Sequence, residues 1–289
     1  MVLADLRYAL RVLRLRPGSS AAIILTLALT IGANSALFTL INAALLAPLP
    51  VEHPDRLVNV YTTGIDGSGY GGLSYPDFQD LRSANSALDD ALGYSGLMTT
   101  VTDGRSSEVV FGELVTPNYF SLLGVKLQLG RGFDASEGER GAQAGVVIGD
   151  RLWRRRFNAD PSIVGNTISL NGRPYPIVGV APKVFAGLLF RAISADVWAP
   201  VSMMGALRTD QRDNRSERWM FVKGRLKVGA SVADATAASA VIASRRCTQR
   251  ATEVASSACC RRPTSSCIRM AIAPSLPLPA RSWRLHFWS

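Results

Sequence analysis

Ala21–Leu46 reads AAIILTLALTIGANSALFTLINAALL, and it lies within a longer stretch, residues 17–51, that holds no charged side chain. A helix that crosses a bilayer takes roughly 20 consecutive apolar residues, so this run is long enough. Arg7, Arg11, Arg14 and Arg16 stand before it with Asp5, whereas Glu52, Asp55 and Arg56 follow it. Positive charge on one flank orients a spanning helix with that flank in the cytoplasm. The pattern predicts a basic cytoplasmic N-terminus over 1–18, a transmembrane helix over 19–48, and everything beyond about residue 50 outside. As a helix the uncharged stretch would measure about 52 Å at ~1.5 Å per residue, so its far end projects outward until Pro48 and Pro50 stop it.

Two plainer readings compete. A signal peptide has an apolar region of roughly 7 to 15 residues before its cleavage site, and a buried soluble helix is also shorter. Thr26, Thr30, Asn34, Ser35 and Thr39 recur at steps of four or five, near one helical face. In lipid such a face prefers another helix, and small residues let backbones approach. Gly32, Asn34 and Ala36 are therefore the candidate residues for packing against partner helices.

The net charge of +10 is unevenly placed. Residues 245–289 carry eight arginines and one acid, Glu253, and 1–49 carry four arginines and Asp5, which leaves 50–244 balanced. No basic field for nucleic acid exists on the body. The last segment also contains all four cysteines, Cys247, Cys259, Cys260 and Cys267, in no metal-ligand spacing. Its lack of period predicts a disordered tail over 245–289 that resembles an out-of-frame gene end.

The body alternates short strands and helices. Residues 56–62 read as a strand, and Ser74 caps a helix with Pro76 in its first turn. Strands near 91–102 and 108–116 flank an Asp103-Gly104 turn. Pro117, Asn118, Tyr119 and Phe120 open a short helix that Gly124 ends. Beyond Gly130 come a strand at 144–148, a helix at 150–157, and strands at 167–170 and 175–180 joined by an Asn171-Gly172 hairpin turn. Further strands are expected at 196–200 and 219–226, then a helix from Ser231. The fold class is α+β: a porter-like βαβ part over 50–129 and 218–244, with a small β-rich part inserted over 130–217. Arg208, Arg212, Arg215 and Arg218, among Asp210, Asp213 and Glu217, read as a solvated stretch.

Catalytic signals are sparse. Gly67-Ser68-Gly69-Tyr70-Gly71-Gly72 matches G-x-G-x-x-G, yet Leu73 to Pro76 separate it from the helix whose N-terminus should meet phosphate. The sequence has only His53 and His286, too few for a serine triad or a histidine zinc site. Asp77 and Asp80 could pair as acids, but carboxylates at a helix N-terminus are explained by the helix dipole. Leu152–Phe157, LWRRRF, packs Trp153 and Phe157 on one face and leaves its arginines to solvent. No enzyme, no cofactor and no metal is expected.

The order of these pieces resembles a known family, the permease subunits of MacB-like, FtsX-related ABC transporters. DLRYALRVLRLRPG (Asp5–Gly18) with LTLALTIGANSALFTLINAALLAPLP (Leu25–Pro50) is similar to the family's first transmembrane segment. SYPDFQDLR (Ser74–Arg82), VTPNYFSLLGVKLQLGRGF (Val115–Phe133), DPSIVGNTISLNGRPYPIVGVAP (Asp160–Pro182), DVWAPVSM (Asp196–Met203) and GRLKVGASVADA (Gly224–Ala235) resemble its extracytoplasmic core domain. The resemblance implies a permease in the bacterial inner membrane, working as a homodimer with a cytoplasmic ATPase and coupling membrane and periplasmic conformations for export. It also implies three more transmembrane helices after the outer domain. The residues after 245 offer none, so the chain reads as an N-terminal permease fragment. Two alternatives stay open: a single-span anchored binding or sensor ectodomain, and an extracytoplasmic hydrolase.

Overall fold

The computed structural model describes residues 17–46, 50–63, 70–102, 106–189, 194–240 and 269–274. They fall into two compact units, one up to Ala47 and one from Pro48 onward.

The first unit is helix α1, Pro17–Leu46. Leu and Ala dominate it, no charge interrupts it, and Pro17 occupies its first turn, where a missing N–H costs nothing. At ~1.5 Å per residue it is about 45 Å long, more than the roughly 30 Å of a hydrocarbon core. Ser20–Thr39 is long and apolar enough to cross a membrane and is not buried by the rest of the chain. Leu25, Leu29 and Phe38 are each at least 70% exposed, which lipid tolerates and water does not.

The second unit is built on one sheet. Its elements are β1 (Leu57–Thr63), α2 (Tyr75–Ala84), β2 (Leu88–Thr102), β3 (Ser107–Val115), α3 (Tyr119–Leu123) and β4 (Leu129–Gly130). They continue with β5 (Val146–Gly149), α4 (Asp150–Phe157), β6 (Thr167–Leu170), β7 (Arg173–Ala181), β8 (Val197–Pro200) and α5 (Met204–Leu207). The last are β9 (Phe221–Leu226), α6 (232–240) and β10 (Arg269–Pro274). The strand order is β10-β1-β9-β2-β3-β8-β5-β7-β4, with β6 paired to both β2 and β7.

The first four positions of that order explain the porter-like part. β1-α2-β2 and β9-α6-β10 are two strand-helix-strand units whose strands lie fourth, first, third, second, each antiparallel to its neighbour. This is the split βαβ arrangement. Its core gathers Val58 and Val60 of β1, Phe78 and Leu81 of α2, Val222 and Leu226 of β9, and Ala235 of α6. The helices form where the sequence predicts. Ser74 caps α2 by accepting from the Asp77 amide at 3.2 Å. Ser231 and Asp234 cap α6 reciprocally. Asn85, buried at the end of α2, donates to Ala235 O at 3.1 Å and Ser239 Oγ at 2.9 Å, tying α2 to α6.

Within 245–289, expected as a disordered tail, only Arg269–Pro274 is described, and it forms β10 and pairs with β1. This strand takes the fourth place of the split βαβ motif on the outer side of β1, with Ile272 buried in the core cluster. The rest of that segment lies outside the described residues, as do Gly67–Gly69 and the Asp103-Gly104 turn.

The sheet continues without a break into the β-rich half. There β3 runs parallel to β8, β5 runs parallel to β7, and β5 is antiparallel to β8. Alternate residues face opposite sides: Val146 and Ile148 enter one cluster and Val147 another, and Val197 and Ala199 are split from Trp198 likewise. Both faces are thus covered, which is why these strands read as continuous apolar runs. The core of this half also draws in Leu97, Val101, Val110 and Leu114 from β2 and β3, residues that the sequence assigns to the first part.

The β6–β7 hairpin turns at Asn171 and Gly172, with φ of 50° and 79°. A two-residue turn needs the left-handed region at both positions. Asn171 does more than turn: its Oδ1 accepts from the Thr100 amide at 2.9 Å and Thr99 Oγ1 at 3.1 Å, and its Nδ2 donates to Leu207 O at 3.2 Å. Asn171→Ala is expected to cost about 1–3 kcal/mol, from left-handed strain and the lost hydrogen bonds, read as a lower urea midpoint at unchanged slope.

Candidate functional site

A buried carboxylate organises the second unit. In β3, the residues Val109, Phe111, Glu113 and Val115 share one face, so Glu113 is carried to the same side as its apolar neighbours. It is 0% exposed. Its Oε1 accepts from the amides of Leu188 and Leu189 at 2.9 and 2.8 Å. Its Oε2 accepts from Tyr119 Oη at 2.6 Å and Trp198 Nε1 at 3.0 Å. One side chain thereby joins β3, α3, β8 and the 182–189 loop. Gly187 lies against it with φ of 99°, and a Cβ there would come within 2.7 Å of the carboxylate, so the loop passes only because this position is glycine.

Burial pushes the Glu113 carboxyl up from the ordinary glutamate range, while its four donors pull the other way. Burial, then the adjacent Glu113 charge, pushes the Tyr119 phenol well above its usual value. No cation offsets Glu113 in these hydrogen bonds, so it is a hydrogen-bonded tie. Around it Tyr119, Phe120, Phe185 and Trp198 form a ring cluster with centroids 5.2 to 6.1 Å apart along its contacts.

An open groove of about 520 Å³ lies beside this hub, between α2, the start of α3 and the 133–140 segment. Arg82, Arg140 and Arg212 line it, yet each is paired: Arg82 with Asp90 at 2.6 Å, Arg212 with Asp210 at 2.8 Å, and Arg140 with Asp213. The groove therefore offers neutralised charge and no concentrated positive field. The Arg212 hydrogen bonds hold Asp210 down at about 2.

The 208–217 segment departs from its expectation as a solvated stretch. Arg212 is buried. Arg208 lies over the Trp219 ring at 4.8 Å, and burial lowers its pKa. Arg215 reaches both Asp77 and Asp80 of α2 at 2.9 Å. The two acids thus share one guanidinium. In α4, Trp153 is buried and donates to Asp160 O at 2.8 Å, and its arginines pair with carboxylates: Arg151 with Asp196, Arg154 with Asp150, and Arg155 with Glu108.

Of the residues singled out from sequence, Asn118 precedes α3 without capping it by a side-chain bond. Instead its Nδ2 donates to Asp90 Oδ2 at 2.7 Å and Ala91 O at 2.8 Å, and its Oδ1 accepts from Thr116 Oγ1 at 2.7 Å. Pro117 packs along Gly138 and lines the groove with Asn118. Tyr119 and Phe120 enter the hub. Asn171 and Gly172 sit at the β6–β7 turn, apart from the groove lining. Gly32, Asn34 and Ala36 lie in α1. Thr26, Thr30 and Thr39 donate to the carbonyls four residues back, Ala22, Thr26 and Ser35, each at 2.8 Å, so those hydroxyls are satisfied without a neighbouring helix.

Sequence reading missed Glu113. A lone glutamate in a strand reads as an outward residue, and because both faces of β3 carry apolar side chains, Phe111 and Val115 on one and Val110 and Leu114 on the other, alternation alone does not place it inside. Among the described residues no three His, Cys, Asp or Glu side chains gather as metal ligands would.

The described residues thus comprise an apolar helix long enough to cross a membrane and a split-βαβ sheet domain with a hydrogen-bonded core. A family model of the MacB-like periplasmic core domain matches residues 20–241. The chain belongs to that family, whose members are membrane ABC-transporter components that work with ATPase partners. A permease domain from Porphyromonas gingivalis has the same fold, with TM-score 0.55 and 15% identity over 80% of this chain and 96% of that one. The periplasmic region of MacB from Actinobacillus actinomycetemcomitans matches at TM-score 0.48 and 15% identity, over 76% of this chain and 88% of that one. The extracellular domain of the noncanonic ABC-type transporter YknZ from Gram-positive bacteria matches at 0.48 and 11%, over 66% and 94%. No curated protein sequence matches the chain.

Proposed function

We propose that the chain is a non-catalytic permease component of a MacB-like ABC transporter, with its N-terminus in the cytoplasm and residues 50–244 on the outer side of the bacterial inner membrane. In this reading it works as a homodimer with further permease helices and a separate cytoplasmic ATPase, and it passes conformational change between membrane and periplasm for export. The carrying observation is that a single family match begins inside the apolar helix at residue 20 and ends at 241. Helix and sheet domain therefore belong to one inherited unit. The Glu113 hub is consistent with a coupling role, because it hydrogen-bonds β3, α3, β8 and the 182–189 loop to one another. The residue division into a porter-like part, 50–129 and 218–244, and an inserted part, 130–217, is carried as part of this proposal. So is the packing of Gly32, Asn34 and Ala36 against partner helices.

Fusions after residue 241 test the orientation: alkaline phosphatase is expected to be active there and a green fluorescent protein dark, and the reverse would overturn it. Replacing Gly32, Asn34 and Ala36 by Leu is expected to abolish recovery of the dimer and of the ATPase from detergent extracts. Unchanged recovery would favour a lone anchored ectodomain.

A further inference from the structure

We propose that Arg208 and Trp219 form a receptor for a compact monocarboxylate, held two-pronged by the Nε–Nη2 edge of the guanidinium with help from the indole Nε1. Three observations carry it. First, Arg208 Nε, Arg208 Nη2 and Trp219 Nε1 are buried donors with no acceptor among the described residues. The guanidinium lies over the indole ring at 4.8 Å, so the three donors belong to one place. Second, the same edge takes a carboxylate in other arginines of this chain. Arg82 sets Nε and Nη2 on Asp90 at 2.6 and 3.1 Å, Arg151 on Asp196 at 3.0 and 2.8 Å, and Arg212 on Asp210 at 3.1 and 2.8 Å. That edge matches the two oxygens of a carboxylate. Arg208 has no such partner: burial lowers its pKa and no acid acts against it. Third, the side chain is positioned from its other nitrogen, since Nη1 lies 3.4 Å from both Ser95 Oγ and Gly96 O of β2. Trp219 in turn packs against the cores of both halves of the sheet.

A buried guanidinium without a counterion is costly, and each buried donor without an acceptor adds to that cost. A carboxylate offsets both at once, because it carries one negative charge and two oxygens with lone pairs to spare for the indole N–H. A halide presents a single point, and a dianion brings more charge than one guanidinium balances. Residues 208–219 contain neither strand nor helix, so a small anion reaches the edge through local opening of this segment.

The test uses the full chain in detergent at pH 7, with sodium acetate as the probe and ionic strength held by sodium chloride. Saturation-transfer NMR on the acetate methyl protons is expected to show saturable binding to the wild type. Acetamide, of the same shape without the charge, is expected to show none. Arg208→Met keeps the aliphatic stem, loses the fork and should weaken acetate binding by about tenfold or more. It should also melt higher than the wild type in acetate-free buffer, since the unpaired charge is gone, and acetate should raise the melting temperature of the wild type and not of this variant. Arg208→Lys keeps the charge as a single point and is expected to lose binding by about tenfold as well, which carries the test if Arg208→Met does not fold. Trp219→Phe keeps a ring, removes the donor and should bind more weakly than the wild type. The proposal fails if the wild type gives no saturable acetate signal, if acetamide binds equally well, or if Arg208→Met or Arg208→Lys binds acetate as the wild type does.

Discussion

Replacing Glu113 by Leu is expected to destabilise the sheet domain by about 3–5 kcal/mol. Four donors converge on this carboxylate. The Leu188 and Leu189 amides and Trp198 Nε1 are fixed by the backbone and the ring, so three buried donors lose their acceptor. Each such orphan costs about 1–3 kcal/mol, partly offset because a buried carboxylate no longer has to be desolvated. For a domain of this size about 2–4 °C of Tm accompany each kcal/mol, so thermal unfolding should fall by about 10 °C. Glu113→Gln is milder, since it keeps one oxygen acceptor but turns an NH2 toward donors. The same pair reports the titration. Burial raises the Glu113 pKa in the folded state, so the folded protein binds this proton more tightly than the unfolded chain. Its contribution is fully present below the ordinary glutamate value and is lost as pH rises through the raised folded value. The stability difference between wild type and Glu113→Gln should therefore shrink as pH climbs above the ordinary glutamate value. A difference that grows with pH would show the carboxylate to be favoured as the anion.

Trp198→Ala is the second large effect, expected at about 3–5 kcal/mol. The indole is fully buried, with the Phe120 and Phe185 rings at 5.8 and 5.7 Å. Its removal opens a cavity at the crossing of β8, α3 and the 182–189 loop, and withdraws one donor from Glu113. Urea unfolding followed by circular dichroism measures it. The double variant Glu113→Leu, Trp198→Ala should cost less than the two singles together. Once the indole is gone there is no Nε1 left to orphan, and contacting residues of one network couple. Strict additivity would mean that the two act independently and that the hub is no network.

Much of this was legible beforehand for reasons that are local. Ser74 with Pro76 marks a helix start wherever it occurs, and Asn171-Gly172 marks a two-residue turn. The apolar strands at 146–149 and 197–200 announce burial on both faces by having no polar alternation. Glu113 and the 208–217 arginines were misread or overlooked because charge usually means solvent. Arg215 meets Asp77 and Asp80 across more than 130 residues of sequence, and no window along the chain contains both partners. In α1 three hydroxyls of the polar stripe bond to carbonyls of the same helix, a matter of rotamers that spacing does not reveal.

By itself the sequence determined the membrane-spanning length of α1, the balanced charge of residues 50–244 and nearly every strand and helix of the sheet domain. These follow from hydrophobic period, caps and turns, which act between neighbours. Only the tertiary structure decided that Glu113 is the hub, that the groove's arginines are already neutralised, and that 269–274 completes the sheet beside β1. Each depends on donors, acceptors or a vacant strand edge brought together from distant parts of the chain, and that proximity exists only once the chain has folded.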